Sequence, residues 1–411
     1  MMLKRRVACG SRLAAGLVRT TLTLIAIAAT LPAAEFSFTL DAPAEVLADI
    51  EMPAGAAGGA VIALQMHGRE PQQVTWFTGM HASVFLGALP PGRHTVQTNA
   101  TGLRFRPVAP GTPDYEVVAN APILYARPDT VGRLTDVPLL VYCERLDGAL
   151  QYTVIYSNED GGTSTRALMA RWGRTTDIEY TYRATPAGEG AYQAKDHKDL
   201  EFRGKREGAH PVLFVSTANN MVSDEGAATV RYQLAPLMVD LTGLPREAVM
   251  DQHPWMYRAA ARELEREEKL RPYRGGAGHK ENIGDPRQYL YVDFTVKNDR
   301  TAVSALVRRK ASADWESSDL GRLDYAVSRS GSVRVAVELP PETKAGDIAE
   351  IGLACQLLPD EKGKWPDPRP CEAGLDGVLF LDAEYAPVRD PRFTAPIAPI
   401  EAGTIRTVKP R

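Results

Sequence analysis

Phe36-Ser37-Phe38-Thr39-Leu40 alternates apolar and polar side chains at every step, which is the period-two signature of a strand with one buried face. Similar short segments recur at Val61-Ile-Ala-Leu-Gln-Met66, Ser83-Val-Phe-Leu86, His94-Thr-Val96 and Leu103-Arg-Phe105, with the turn signal Leu89-Pro-Pro-Gly92 among them. Strands of this length, punctuated by Gly and Pro, predict a small antiparallel β-sandwich over residues 35–117.

Outward from this module, residues 118–245 read as a central block. Strands are expected at 122–125, 137–143, 152–156, 177–183 and 212–217, joined by long polar loops. A helix is expected within 251–272, with Asp251 as its cap, Pro254 near its first turn and Pro272 as its stop. Its modest apolar stripe, Trp255, Met256, Ala259, Ala260 and Leu264, suits a surface helix laid on a sheet. The glycine-rich stretch 274–285 reads as a connection, and strands resume over 286–390, with a hairpin expected at Ser330-Gly331. The proline-rich residues 391–411 read as a flexible tail. The expected fold is mainly β: a small antiparallel β-sandwich followed by a larger β-sandwich with long loops and one surface helix.

The first 34 residues read as a signal peptide. Lys4, Arg5, Arg6, Arg12 and Arg19 precede the apolar run 22–31, and Pro32, Ala33 and Ala34 supply small residues for cleavage. The predicted location is therefore secreted or periplasmic, with no transmembrane segment once the leader is removed. Loss of five positive charges takes the formal net charge from -3 to about -8. An acidic chain without a basic track has no means of following a phosphate backbone, which excludes nucleic acid as a partner. In an oxidising compartment Cys355 and Cys371 are placed to close a loop, and Cys143, inside the apolar run Val137-Pro-Leu-Leu-Val-Tyr142, reads as a buried thiol.

The chemistry concentrates in Trp172-Gly-Arg-Thr-Thr-Asp-Ile-Glu-Tyr-Thr-Tyr-Arg183. Taken as one strand, it puts Asp177 and Glu179 on one face about 7 Å apart, close enough to share a cation or to divide acid and base roles. The alternative is a solvated face on which Arg183 neutralises Glu179. A second candidate is the loop Asn158-Glu-Asp-Gly-Gly-Thr163, whose acids and glycines suit a hard cation or sugar hydroxyls; it is no EF-hand, since its twelfth position is Met169. Catalytic roles fall to Asp177 and Glu179, metal ligation to Asp160, Asp177 and Glu179, and ligand binding to Asn158, Glu159, Asp160, Trp172, Arg174, His210, Asn219 and Asn220. An oxygen-only donor set points to calcium as the divalent cation. No nucleophile elbow, zinc-binding helix or phosphate loop is present in the sequence.

The stretches Ala121-Pro-Ile-Leu-Tyr125, Gly173 to Glu179 and His210-Pro-Val-Leu-Phe-Val215, with Asn219 and Asn220 beyond, resemble the family of Vps62-related and necrosis-inducing (NPP1-type) proteins over about a quarter of the chain. The resemblance implies a β-sandwich, and it implies that Asp177 and Glu179 occupy the positions of carboxylates in a cation-holding cluster. The family's Gly-His-Arg-His-Asp-Trp-Glu run stands here as Gly173-Arg-Thr-Thr-Asp-Ile-Glu179, without either histidine. Three readings follow for the function: binding of an extracellular or envelope glycan, polysaccharide hydrolysis or elimination by paired carboxylates, or a structural surface role without a site.

Overall fold

The computed structural model describes residues 34–53, 58–127, 136–159, 161–185, 189–273, 282–365, 367 and 369–411. The expected leader, Asp160 and most of the 274–285 connection lie outside them. The fold is mainly β, built as six sheets in three successive pairs. In the first pair, one sheet runs Ala34–Leu40, Gly92–Thr98, Ala60–Met66, Gln72–Trp76, and the other Ser83–Leu89, Ala44–Glu51, Gly102–Val108. All pairings here are antiparallel.

The central pair holds the candidate site. Its larger sheet orders Lys198–Glu201, Gly190–Ala194, Asp177–Ala184, Ala149–Tyr156, Pro138–Leu146 and Leu237–Met238. The smaller orders Arg206–Glu207, His210–Val215, Ile123–Tyr125 and Arg231–Tyr232, with Val222–Ser223 also on His210–Val215. One continuous apolar core joins the first two pairs, from Leu40 and Phe85 through Tyr152, Tyr156 and Tyr182 to Trp255 and Leu264.

The last pair has its own core, formed by alternate residues of Tyr289–Lys297, Thr301–Arg309, Gly331–Glu338, Ile348–Leu357 and Cys371–Leu381. In the strand Tyr289–Lys297, Leu290, Val292, Phe294 and Val296 face this core, whereas Tyr289 and Tyr291 join the other. Both faces of that strand are buried, which explains its nearly unbroken apolar sequence. The Cys355–Cys371 disulfide ties two of these strands together, and Cys143 is a buried free thiol.

Several expectations change. Residues 391–411 are no loose tail: Ala395–Ile400 pairs with Cys371–Leu381, and Ile405–Val408 pairs with Ile348–Leu357. Pro396 and Pro399 are tolerated because their strand lies at a sheet margin, where a missing N–H costs no ladder bond. Gly331–Glu338 pairs with Tyr289–Lys297, so Ser330-Gly331 does not close a hairpin with residues 323–327, of which 323–325 form a 3-10 turn.

The expected helix is Trp255–Arg266, but Tyr257, Ala261 and Glu263 are buried along with its apolar stripe. Asp251 belongs to a short preceding helix, Ala248–Gln252, and does not cap the longer one. Its carboxylate meets Arg334 at 2.8 Å, and Arg334, fully buried, also holds Asp293 at 2.6 Å. A charge this deep is tolerable only when paired, and here the pairing joins the central block to the last sandwich.

Candidate functional site

The run read as one strand from Trp172 divides in two. Residues Thr165–Trp172 form a helix, capped by Ser164, whose hydroxyl accepts the Ala167 N–H at 3.2 Å. Gly173 ends it in the left-handed region at φ 58°, and a Cβ there would sit 2.6 Å from Cγ of Arg334. The strand begins only at Asp177.

Asp177 and Glu179 lie opposite Tyr156 and Val154 of the neighbouring strand. The register then shifts, leaving Thr181 as an extra residue whose hydroxyl donates to the Tyr152 carbonyl at 3.1 Å. The bulge puts Tyr182 on the face of Asp177 and Glu179 and turns Arg183 to the other face. There Arg183 donates to Gln151 at 2.7 Å and stands 4.9 Å from the Tyr180 ring centroid. The solvated face neutralised by Arg183 is therefore not what forms: Asp177 is 1% exposed.

Glu159 reaches the same cluster from its loop and accepts the Thr163 N–H at 2.9 Å. The adjoining glycines allow close approach to the 217–221 turn, since a Cβ on Gly161 would lie 2.8 Å from Cβ of Ala218. From that turn Asn220, in the left-handed region at φ 55°, donates to Asp177 at 3.0 Å. The Oδ1 atom of Asn220 and the hydroxyl of Tyr156 are buried and make no hydrogen bond with a described residue. Arg174 donates to Glu247 at 2.9 Å and approaches Asp177 at 3.9 Å.

Burial of three neighbouring carboxyls disfavours their ionising together. Burial raises Asp177 above its usual range, although the charge of Arg174 and the hydrogen bond from Asn220 oppose the rise. Burial and then the charge of Asp177 push Glu179 well up. Glu159 is pushed up to about 7, first by burial and then by Asp177. The exit from this cluster runs through Glu179: a donating Gln193 amide reaches its Oε2 at 2.8 Å, and the exposed His197 lies 4.0 Å away.

The remaining expected residues divide. Asn158 is a scaffold: its Oδ1 accepts the Asp136 N–H at 2.8 Å and its Nδ2 donates to Glu267 at 3.0 Å. Asn219 accepts the Thr217 hydroxyl at 2.8 Å within the turn. Trp172 is half-buried beside Arg174. His210 stands at the far end of the strand that leads to the Asn220 turn, stacked 4.5 Å from Phe85 and facing Glu45 at 3.2 Å. It lines a separate cavity of about 360 Å³ with Arg69, Lys205, Glu207 and Arg231, of which Lys205 and Arg231 both pair with Glu207. Among the described residues no group of three or more His, Cys, Asp or Glu side chains is arranged to hold a metal.

Tyr156, Glu247, Arg171 and Arg329 were not singled out in the sequence. The helix signal from Ser164 to Gly173 carries Arg171 and Trp172 to one end, whereas Glu247 and Arg329 arrive from distant segments with no local mark.

No protein-family model and no curated protein matches the chain. No helix among the described residues is long and apolar enough to cross a membrane.

Proposed function

We propose that this is an exported protein that binds an extracellular or envelope glycan at the end of its central sandwich, through Glu159, Asp177, Glu179 and Asn220. The observation that carries this reading is the burial of Asp177, Glu179 and Glu159 together, which raises all three toward their protonated forms, beside the Oδ1 atom of Asn220 and the hydroxyl of Tyr156, both buried without a partner among the described residues. Groups in that state both donate and accept, as sugar hydroxyls require, and a folded chain keeps them only where something offsets their burial. The disulfide and the leader-like first residues support an extracytoplasmic location.

Calcium enters this reading as a competitor for the protons of these acids, because carboxylates must deprotonate to ligate a cation. The resemblance to necrosis-inducing proteins implies a cation cluster that includes the same two acids. A glycan array and a calcium titration with the mature protein test the proposal. Binding that falls at least tenfold in Glu179→Gln is expected; blank results in both assays defeat it.

The raised acids also favour a second reading, acid and base catalysis on a polysaccharide. Asp177, Glu179 and Glu159 then act as the proton-holding groups. Loss of polysaccharide turnover in Asp177→Asn with circular dichroism unchanged supports this reading, and an unchanged rate removes Asp177 from the chemistry.

A further inference from the structure

Arg171, in the last turn of the helix Thr165–Trp172, places its guanidinium carbon 4.2 Å from the centroid of the Trp172 ring. Arg329, on the connection before the strand Gly331–Glu338, reaches the same ring at 5.3 Å, and Arg174 at 6.0 Å. Three cations thus surround one indole, within about one Debye length of each other at ordinary ionic strength. Arg174 is compensated by Glu247. Arg171 and Arg329 are only partly exposed, and neither guanidinium makes a hydrogen bond or an ion pair with a described residue.

Such an arrangement opposes folding unless something else offsets it. Burial brings Arg329 down to about 10, and repulsion from Arg174, Arg171 and Arg246 adds to this against the pull of Glu247. Burial likewise lowers Arg171, and the charges of Asp324 and Glu159 oppose that fall. Asp324 is already held by Arg322 at 2.6 Å. The position of Arg171 at a helix C-terminus accounts for part of its tolerance, but Arg329 has no such support. Stacking on the indole keeps both guanidiniums oriented while leaving their N–H edges unbonded, which is how arginine presents a fork to a carboxylate, sulfate or phosphate.

We propose that Arg171 and Arg329, held against Trp172 at the seam between the central block and the last sandwich, form an oxyanion-binding site that accepts the carboxylate or sulfate group of an acidic glycan. Glu159 of the carboxyl cluster acts electrostatically on Arg171, but the two readings differ in what they bind: neutral sugars suffice for the carboxyls, whereas this site demands a negative charge.

The mature protein is titrated calorimetrically with oligogalacturonate, dextran sulfate, inorganic sulfate, inorganic phosphate and uncharged dextran. Trp fluorescence gives a second readout, with Trp172→Phe as its control. Binding of at least one anion is expected, weakening with added salt, while dextran stays silent. Arg171→Gln and Arg329→Gln are each expected to bind at least tenfold more weakly at an unchanged melting temperature, with Arg329→Lys intermediate because a point charge lacks the fork. Binding of the polymers alone assigns the source to a glycan, and binding of inorganic anions alone assigns it to a free ion; either supports the site. Silence towards every anion, or wild-type affinity in both Gln variants, overturns it. Glu179→Gln is expected to retain this anion binding, so failure here and failure of the carboxyl cluster are separable.

Discussion

Replacement of Glu159 by Gln tests whether the carboxyl cluster holds protons at neutral pH. In the folded chain Glu159 is pushed from its ordinary 4.5 up to about 7, by burial and by Asp177. Between those values the folded state binds more protons than the unfolded state, so stability falls as pH rises. The favourable contribution is complete below about pH 4.5 and is lost as pH rises through about 7. At about 1.4 kcal/mol per decade, the ionised side chain costs about 3 kcal/mol at pH 8 relative to pH 4.

Gln resembles the protonated acid, and its carbonyl can still accept the Thr163 N–H that Glu159 accepts at 2.9 Å. Glu159→Gln is therefore expected to match the wild type near pH 4.5 and to exceed it by up to about 3 kcal/mol at pH 8. Urea denaturation at half-unit intervals from pH 4.5 to 8 measures this, and melting curves should follow at roughly 2–4 °C per kcal/mol. Equal pH slopes in the two proteins would falsify the assignment of a raised acid at this position.

Other outcomes follow from the buried charges and thiols. Arg334→Met strands Asp251 and Asp293 together in the interior and is expected to cost about 3 kcal/mol or more, read from the urea midpoint; a loss below about 1 kcal/mol means that Arg389 alone satisfies both acids. Cys355→Ser with Cys371→Ser opens a loop of 16-residue separation and should remove about 3 kcal/mol, and a wild-type midpoint would show that the link constrains nothing. Burial pushes the Cys143 thiol up to about 12, so a thiol reagent at pH 8 is expected to leave it unmodified until urea is added; fast labelling of the native protein contradicts its buried position.

The strands were legible wherever apolar residues alternate or run unbroken, as in Ile348–Leu357, because burial of a sheet face imposes that pattern locally. Thr165–Trp172 was hidden by its charged residues, although Ser164 and Gly173 mark both of its ends. The adjacency of Asp177 and Glu179 on one face was readable from strand geometry. The bulge at Thr181 was not, since a single extra residue leaves no compositional trace, yet it decides that Arg183 cannot neutralise Glu179. The meeting of Glu159 with Asp177, and of Arg329 with Trp172, depends on packing between segments far apart in sequence. No local pattern encodes such contacts. Proline misled the reading of residues 391–411, where a sheet margin accepts it.

Infrared difference spectroscopy of the carboxyl groups at pH 7 tests the central claim most directly. A protonated carboxyl band is expected in the wild-type protein, altered in Asp177→Asn and shifted when a bound glycan is added. A spectrum showing only ionised carboxylates at pH 7 would contradict the raised acids of the cluster Asp177, Glu179 and Glu159.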